Sequence, residues 1–370
     1  MCGPLPLLKK LKLLTEMNNT PTCPLPDRLD GAVELAHGGG GRMTQRLIDE
    51  VFHPFFTNPY LDRGGDGAIM PAPVEDLSGT RVAMSTDTFV VRPLFFPGGN
   101  IGDLAVNGTV NDLLCCGAVP RWLSASFVIE EGMPISQLRD IVRTMAEAAR
   151  EAEVEIVTGD TKVVERGRCD GVYINTSGIG FVRPDLYLDP ANLRPGDAVI
   201  LTGPIARHGM AVMSVREGLQ FSSSITSDTA SLGDIVSNLL DVAPGLRVLR
   251  DPTRGGLSST LNELAASSGV SIEIDQEAIP IDPDVLSACE LLGLDPLYVA
   301  NEGLMIAVVP ADEAEAALAA VRRSAHGERG AIIGRVLPAD AEGSRVWLRM
   351  PLGNRRGVEM LSGEQLPRIC

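Results

Sequence analysis

The chain contains very little lysine. Of its 370 residues, 32 are lysine or arginine, and only four of these are lysines. Three of them, Lys9, Lys10 and Lys12, lie in the opening segment, so that Lys162 stands alone among 28 arginines in the rest of the chain. Arginine keeps its proton at ordinary pH, whereas a partly buried lysine can release its proton. Lys162 is therefore either a proton-transfer group or an ordinary surface cation.

Several common motifs are also missing. Seven cysteines occur without CxxC spacing, which indicates neither a zinc site nor a disulfide framework and fits a reducing cytoplasm. The sequence has no Gly-Lys pair and no GxGxxG, which excludes the P-loop and the Rossmann fingerprint. No apolar run is long enough to span a membrane. The net charge of −16 argues against nucleic acid and anionic membranes as partners, so that phosphate binding would need metal ions and backbone amides.

Length and element order predict two α/β or α+β domains with mixed sheets. A chain of 370 residues that is 44% hydrophobic can build two cores. The segment 186–196 is rich in Pro, Asp and Asn and is the predicted boundary between an N-terminal domain, 31–186, and a C-terminal domain, 196–350. Residues 1–30 are predicted to be a disordered leader, and 351–370 a mobile tail.

Hydrophobic periodicity predicts a helix over 102–116 and a second helix capped by Ser136. The two cysteines that end the first helix, Cys115 and Cys116, are predicted to lie in the core. Polar residues four positions apart form a stripe along the same helix: Asp103, Asn107 and Asn111.

A glycine-rich loop precedes an amphipathic helix near the start of the first predicted domain. It consists of Gly38, Gly39, Gly40 and Gly41. Glycines at a helix N-terminus let backbone N–H groups approach an anion closely, although a flexible loop without a ligand has the same composition. His37, directly before the loop, is either a helix cap or a nucleotide contact.

Four aspartates lie where predicted elements meet loops, among Gly, Thr or Asn: Asp66, Asp87, Asp112 and Asp160. Carboxylates that gather without basic partners repel each other unless a hard cation such as Mg²⁺ lies between them, and Mg²⁺ accompanies nucleotide phosphates. Two interpretations remain open: one magnesium site, or four separate turn and cap aspartates.

The chain ends in Pro367-Arg368-Ile369-Cys370. An exposed thiol is a liability unless it is used, because it oxidises and cross-links. The preceding residues, 362–367, show no helical or strand period, and ten extended residues span roughly 33 Å. The thiol could therefore carry a covalently bound group from one active site to another, or it could be a chance terminal residue.

Three segments of the sequence resemble the PurM-like ATP-binding superfamily, which includes aminoimidazole ribonucleotide synthase, selenophosphate synthetase and thiamine phosphate kinase. They are residues 85–102, 106–112 and 158–164. The terminal Pro-Arg-Ile-Cys resembles one branch of that superfamily, the HypE family of hydrogenase maturation proteins. The resemblance covers about 34–370.

The resemblance implies a two-domain PurM-like fold and a homodimer whose N-terminal domains build a shared barrel, with ATP near the interface. It also implies a reaction. A HypF-type carbamoyltransferase loads a carbamoyl group onto the terminal thiol, and ATP-dependent dehydration converts this group to a thiocyanate. The cyanide then passes to iron held by a HypC–HypD complex, for the Fe(CN)₂CO centre of nickel–iron hydrogenase.

The resemblance further implies roles for individual residues. The catalytic residues would be Cys370 as carrier, with Lys162 and Glu302 handling protons. The Mg²⁺ ligands would be Asp87, Asp112 and Asp160, with Asp66 matched less firmly. The nucleotide would contact the Gly38–Gly41 loop, Thr86, Asn107 and Arg254, although Arg254 could instead brace the domain interface.

Two other functions remain open at this point. The same fold could serve an ATP-dependent synthetase or kinase that acts on a free small molecule, or a non-catalytic maturation scaffold. Selenophosphate synthetases carry a reactive Cys or selenocysteine shortly before a lysine near the glycine-rich loop. Here His37 precedes the glycines and no lysine follows them. The intact acidic motifs argue against a scaffold, which needs no Mg²⁺ ligands.

Overall fold

A four-stranded sheet organises the first half of the fold. The computed structural model describes residues 29–39, 42–63, 70, 79–218, 225–340, 343, 345–360, 366 and 368–370. The strands, in order across the sheet, are β1 (Arg81–Phe89), β6 (Val172–Val182), β4 (Ala118–Glu130) and β5 (Glu155–Val164). Strands β1 and β4 pair with β6 in antiparallel fashion, whereas β4 and β5 are parallel. A short hairpin of β2 (Phe95–Phe96) and β3 (Gly99–Asn100) follows β1.

Two helices cover one face of this sheet. The elements that precede them are a 3-10 helix (Leu35–Gly38), α1 (Arg42–Leu47), a π-helix (Ile48–Phe52), α2 (His53–Phe56) and a 3-10 helix (Leu61–Arg63). The covering helices are α3 (Ile101–Cys115) and α4 (Ile135–Glu151), which pack against each other, and α3 also packs against β1 and β6.

The sequence prediction of α3 is confirmed to within one residue at each end. The helix begins where Asn100 accepts a hydrogen bond from the Gly102 amide at 2.7 Å and donates its own amide to Asp103 at 2.7 Å. The cap predicted for α4 is wrong, because the helix starts at Ile135 and no side chain caps it. The core placement of Cys116 is also wrong, because this residue is exposed at the end of α3.

The other face of the four-stranded sheet is open in the single chain. Val82 and Met84 on β1 are 66% and 69% exposed. In register with them across the sheet lie Phe181 and Ile179 on β6. The open face thus presents apolar side chains on the neighbouring strands β1 and β6, which is unusual for a sheet that faces only water.

A seven-stranded sheet organises the second half. Its order is β13 (Arg355–Gly357), β12 (Val346–Arg349), β9 (Val270–Asp275), β11 (Ala331–Pro338), β7 (Ala198–Leu201), β10 (Ile306–Val309) and β8 (Val248–Arg250). All neighbours are antiparallel except β12 and β9. The α-helices of this half are α5 (Arg207–Arg216), α6 (Gly233–Val242), α7 (Gly256–Ser268), α8 (Pro283–Leu292) and α9 (Ala314–Arg323), with 3-10 helices at Pro190–Asn192, Gln276–Ala278 and Pro296–Tyr298.

The fully buried strands of this sheet supply its core. All four residues of β7 and of β10 are buried, as expected for strands at the centre of a covered sheet. The predicted boundary, 186–196, lies between β6 and β7. Residues 31–370 form one compact unit, so that the division into domains 31–186 and 196–350 stays a prediction. Within the described residues, no helix combines the length and apolar character needed to cross a membrane.

Candidate functional site

The end of the chain is docked against the residues that follow β1. The Val90 amide donates a hydrogen bond to the carbonyl of Cys370 at 3.2 Å, and the Arg92 amide donates to the carbonyl of Arg368 at 3.2 Å. Between these contacts, Ile369 is only 2% exposed. The sequence left open whether the tail is docked or extended, and in this structure its last three residues are docked.

A buried histidine of α5 holds the same segment from the other side. His208 Nε2 donates to the carbonyl of Ile369 at 2.7 Å, and its Nδ1 lies 2.8 Å from the hydroxyl of Ser227. Because a carbonyl only accepts, Nε2 carries the proton and Nδ1 accepts from Ser227. Burial lowers the pKa of His208, and the neighbouring Asp228 opposes that shift only in part. Sequence analysis missed His208, since nothing in its local sequence distinguishes it.

Glu302 lies buried beside the terminal thiol. Its Oε1 has no hydrogen-bond partner among the described residues, and its side chain is enclosed by protein. Burial raises the pKa of Glu302 well above its usual range, and the carboxylates of Asp228 and Asp251 raise it further. Glu302 therefore holds its proton more tightly than an exposed glutamate does, and its Oε1 offers an unpartnered oxygen to a group in the site.

The backbone around Glu302 is held by Asp228. Its Oδ2 accepts from the amides of Glu302 at 3.2 Å and Gly303 at 3.0 Å. A Cβ at Gly303 would lie 1.6 Å from the carbonyl oxygen of Asp228, so that only glycine permits this close approach. Sequence analysis singled out Glu302 but not Asp228, which lies in a segment without a recognisable motif.

The thiol of Cys370 is protonated in its docked position. Burial raises the pKa of Cys370 above its usual range, the charge of Glu302 adds to this effect, and Arg254 opposes it. A thiol is nucleophilic only as the thiolate. The docked thiol thus lies within reach of the charge of Glu302 but is not itself reactive there.

Asp87 and Asp112 face the same site from β1 and α3. Ser85 donates to Asp112 at 2.6 Å, and the Thr88 amide donates to Asp87 at 2.7 Å. Burial raises the pKa of both carboxyl groups, and the charge of Asp112 raises that of Asp87 further. Asp87 therefore lies within reach of the charge of Asp112, and the metal role of this pair stays a prediction.

Asp251, directly after β8, joins these carboxylates. Burial raises its pKa to about 6, and the charge of Asp112 is the next cause. It accepts a weak hydrogen bond from the Cys115 thiol at 3.6 Å. Sequence analysis singled out Arg254 but gave the nearby Asp251 no role, although an acidic residue ending a strand was an available signal.

Asp160 and Lys162 lie elsewhere in the single chain. Through the strand register, Asp160 is in one row with Ser126 on β4, Asn175 on β6 and Thr88 on β1. Three strand spacings separate β5 from β1, or about 14 Å. Asp160 pairs instead with Lys162 at 2.6 Å, and both side chains are more than 60% exposed, at 62% and 64%. Lys162 is therefore not a partly buried lysine within one chain.

The prediction that four aspartates surround one cation is not met within a single chain. Asp66 lies outside the described residues. Across the described ranges, no group of three or more His, Cys, Asp or Glu side chains is arranged to hold a metal ion. Asp87 and Asp112 remain together, whereas Asp160 lies at the far edge of the sheet because β5 is an edge strand.

The predicted nucleotide contacts are spread along the first half of the fold. A Cβ at Gly38 would lie 2.8 Å from the Val163 backbone nitrogen, so that this glycine lets the loop pack on β5. Gly39 follows it, and Gly40 and Gly41 lie outside the described residues. His37 acts as a cap, because its Nδ1 accepts from the Glu34 amide at 2.9 Å.

Thr86, Asn107 and Arg254 occupy three different environments. Thr86 lies on the open face and donates to the Thr176 carbonyl at 3.1 Å. Asn107 on α3 donates to Thr229 at 3.2 Å and so connects the two halves of the fold. Arg254 is exposed and lies close enough to Asp87 to lower the pKa of that carboxyl.

A small cavity opens between α1, α2 and the edge of the sheet. It has a volume of about 230 Å³ and is lined by apolar side chains of this helical segment together with Asp160 and Thr161. Its apolar walls include Phe52 and Phe56. A flat aromatic ring with a polar substituent would suit such a lining.

Comparison with known proteins places the chain in a family. The family model described as "AIR synthase related protein, N-terminal domain" matches residues 64–182, and "AIR synthase related protein, C-terminal domain" matches residues 194–346. The carbamoyl dehydratase HypE of Cupriavidus necator is 52% identical over 342 residues, which cover 92% of this chain and 95% of that protein.

Solved structures agree with these matches. A structure of the hydrogenase maturation protein HypE in complex with ATP superimposes with a TM-score of 0.86 at 46% identity, covering 91% of this chain and 99% of that one. A HypE–HypF complex superimposes with a TM-score of 0.74 at 46% identity, covering 85% and 99%. The predicted two-domain PurM-like fold is confirmed by these matches. The chain belongs to the HypE family of hydrogenase maturation proteins, the carbamoyl dehydratases built on AIR synthase related domains.

Proposed function

We propose that this protein dehydrates a carbamoyl group carried on its own Cys370 thiol to a thiocyanate, at the expense of ATP. One observation carries the proposal: the terminal thiol is docked where the charge of Glu302 raises its pKa, and the buried Glu302 has an Oε1 without a partner among the described residues. A buried polar atom without a partner costs free energy, so an acceptor of this kind is expected to serve a bound group. Relatives named carbamoyl dehydratase HypE support the same reaction.

The reaction removes one oxygen and two hydrogens from the carbamoyl group. Its oxygen is a poor leaving group, and transfer of a phosphoryl group from ATP to that oxygen turns it into a good one. The first N–H proton is lost with this transfer. The C–O bond then breaks, inorganic phosphate departs with the oxygen, the second N–H proton is lost, and S–C≡N remains on the sulfur.

The chain's own residues supply positioning and proton transfer. The Val90 amide and His208 hold the backbone on both sides of Cys370, which orients the thiol-bound group toward Glu302. Glu302 offers the carbamoyl nitrogen a hydrogen-bonding oxygen, and its raised pKa makes its carboxylate a strong base once it ionises. We assign Lys162 the second proton-transfer role.

The residues present fit a magnesium nucleotide. Asp87 and Asp112 supply carboxylate oxygens, and a divalent cation bound between them would relieve the repulsion of their charges. Lys162 does not neutralise these two carboxylates, because it is paired with Asp160. The chemistry that Mg²⁺ supplies when bound is neutralisation of phosphate charge. We place the adenine ring in the apolar cavity beside Asp160 and the phosphates near the Gly38–Gly41 loop.

We further propose that the functional unit is a homodimer. The four-stranded sheet leaves both of its edge strands, β1 and β5, without a further paired strand among the described residues, and its open face carries exposed Val82 and Met84. A second copy that joins the two sheets into a shared barrel would cover that face and the edges. It would also bring Asp160 and Lys162 of one copy toward Asp87 of the other.

Mixing two inactive variants tests this arrangement. Asp87→Asn and Lys162→Arg should each dehydrate poorly, because arginine keeps the charge but does not release a proton. In randomly mixed dimers with shared sites, about one site in four is assembled from two intact copies. Dehydration should therefore recover to about a quarter of the wild-type rate, measured by mass spectrometry after the subunits have been unfolded and refolded together. No recovery above the separate variants would contradict sites built from two copies.

Asp112→Asn separates the two steps of the proposed cycle. We expect carbamoylation of Cys370 to continue, because it takes place on the partner enzyme, while dehydration falls by about 10²-fold or more with the loss of a charged ligand. Intact mass spectrometry reports both steps on one sample. The matched control is Asp185→Asn, whose side chain is 79% exposed at the surface. Unchanged dehydration in Asp112→Asn would remove this residue from the metal site.

The partners that complete the cycle are a HypF-type carbamoyltransferase, which loads the thiol, and a HypC–HypD complex, whose iron receives the cyanide. A solved HypE–HypF complex of relatives supports the first. The five cysteines of the described residues are free thiols, which agrees with the reducing cytoplasm we propose for this chemistry.

The direct test follows the mass of the intact protein. Purified protein is incubated with its carbamoyltransferase, carbamoyl phosphate and ATP. We expect an adduct of one carbamoyl group, followed by loss of the mass of one water. A carbamoyl adduct that never loses water in the presence of ATP and Mg²⁺ would contradict the proposed dehydration.

A further inference from the structure

The side chain of Arg368, two residues before the terminal cysteine, is bound by a ready-made acceptor site. Its guanidinium donates to the carboxylate of Asp170 and, at 2.7 Å, to the hydroxyl oxygen of Tyr173. The Tyr173 hydroxyl in turn donates to Asp170 at 2.5 Å. Arg92 donates to the other oxygen of Asp170 at 3.2 Å, so that both carboxylate oxygens are engaged. We call Asp170 and Tyr173 the Arg368 clamp.

The clamp lies apart from the chemistry. Asp170 precedes β6 and Tyr173 is its second residue, whereas the carboxyl groups whose charges raise the pKa of the Cys370 thiol are those of Glu302, Asp87 and Asp251. The clamp therefore binds the tail without contacting the group that reacts.

The backbone conformation of Arg368 is held by the contacts of its side chain and of its carbonyl group. Its φ of 55° lies in the left-handed region, which residues other than glycine rarely adopt. Such a conformation persists where surrounding contacts over-determine it. Here the guanidinium is clamped while the carbonyl of the same residue accepts from Arg216 at 2.8 Å and from the Arg92 amide at 3.2 Å.

We propose that the Arg368 clamp is the binding site that recognises the tail and sets how Cys370 is divided between its loading partner and the dehydration site. The inference rests on the proposed function and deepens it. The docked thiol is a poor nucleophile, so that loading requires the tail to leave, whereas dehydration requires it to stay beside Glu302. One contact that holds the tail must therefore affect the two steps in opposite directions.

The clamp residues are positioning residues, and their effect can be measured as the accessibility of the Cys370 thiol. The experiment measures the rate at which iodoacetamide alkylates Cys370 in the full chain, by mass spectrometry of the C-terminal peptide. Asp170→Asn keeps the shape of the side chain but removes its charge. We expect alkylation about fivefold to tenfold faster than in the wild type, as for loss of a partly exposed charged hydrogen bond.

Salt dependence distinguishes a charge contact from a general loosening. Raising the ionic strength should speed alkylation of the wild type and leave Asp170→Asn nearly unchanged, because only the wild type has the ion pair to screen. Arg368→Lys, which keeps the charge but loses the planar fork, should lie between the two. Asp140→Asn is the matched control, since it removes a surface partner of Arg143 on α4 and should behave as the wild type.

Catalysis provides the second measurement. In Asp170→Asn, loading by the carbamoyltransferase should be as fast as in the wild type or faster, and dehydration of the loaded protein should slow several-fold. Tyr173→Phe should show the same pair of changes to a smaller degree, which guards against a folding defect in one variant. Alkylation and its salt dependence that match the wild type in both variants would overturn the clamp. If alkylation rises as expected but the wild type never dehydrates its adduct, the proposed function fails while the clamp stands.

Discussion

Cys370→Ala is expected to abolish both mass changes of the proposed cycle. The Cys370 thiol is the attachment point of the substrate rather than an aid to catalysis, so that its removal leaves nothing to carry the carbamoyl group. Intact mass spectrometry should show neither a carbamoyl adduct nor a later loss of water. The fold should remain, since replacement of a terminal thiol leaves the contacts of Ile369 and the amide of Val90 in place.

A second cysteine variant provides the control. Cys116 is an exposed thiol at the end of α3, so that Cys116→Ala tests whether any accessible thiol can be loaded. We expect it to load and dehydrate normally. Dehydrated product in Cys370→Ala would refute the carrier role. ATP hydrolysis that persists unchanged in Cys370→Ala, with no mass change in the wild type, would instead favour a free small-molecule substrate or a scaffold.

Glu302→Gln is expected to lose activity and gain stability at high pH. Glutamine resembles the protonated side chain in shape and hydrogen bonding but cannot accept a proton. Loss of a general base slows a reaction by about 10² to 10⁴-fold. Dehydration of the loaded protein should slow by this order, whereas loading, which takes place on the partner, should continue. Single-turnover mass spectrometry measures both.

The stability change follows from the raised pKa of Glu302. The folded state holds a proton that the unfolded chain releases above the ordinary glutamate value of 4.5. The contribution of Glu302 to the free energy of unfolding is therefore fully present below pH 4.5. This contribution is lost as the pH rises toward the pKa of Glu302 in the folded state. The glutamine side chain does not titrate in this range, so that the variant does not lose this stability as the pH rises. Its melting temperature should therefore exceed that of the wild type at pH 8.

The two proteins should converge in acid. Asp103 and Asp251, whose pKa values burial raises to about 6, act in the same direction and remain in both proteins. Near pH 5 the difference in melting temperature should therefore be small. Glu315→Gln, at an exposed position of α9, is the control and should show no such pH dependence. A variant that is inactive but equally stable at both pH values would mean that Glu302 is not buried as a neutral acid.

Elements with a strong period were predictable, and their ends were less so. The apolar pattern of α3 predicted the helix to within one residue, because the apolar residues of a largely buried helix recur at helical spacing beside its polar stripe. The start of α4 was wrong, because the backbone enters that helix from Pro134 and Ser136 has no role as a cap. Strand β5 continues to Val164, and its second half consists of residues that side-chain alternation does not mark as a strand.

The site was predictable where a motif carried its chemistry. The terminal cysteine, Glu302 and the aspartates of β1 and α3 each lie in a segment that resembles the family. The roles of His208, Asp228 and the Arg368 clamp were not predictable, because each of them acts through a partner that is distant in the chain, up to 198 residues away. Such contacts have no local pattern that a single sequence can show.

The amino-acid sequence by itself determined which groups are available: one lysine beyond the opening segment, aspartates free of basic neighbours, and a thiol at the last position. Only the tertiary structure decided which of these groups meet. It brings the thiol to Glu302, and it separates Asp87 from Asp160 by the width of a sheet. The physical reason is that strand order and burial set distances and pKa values, and both depend on which distant segments pack together.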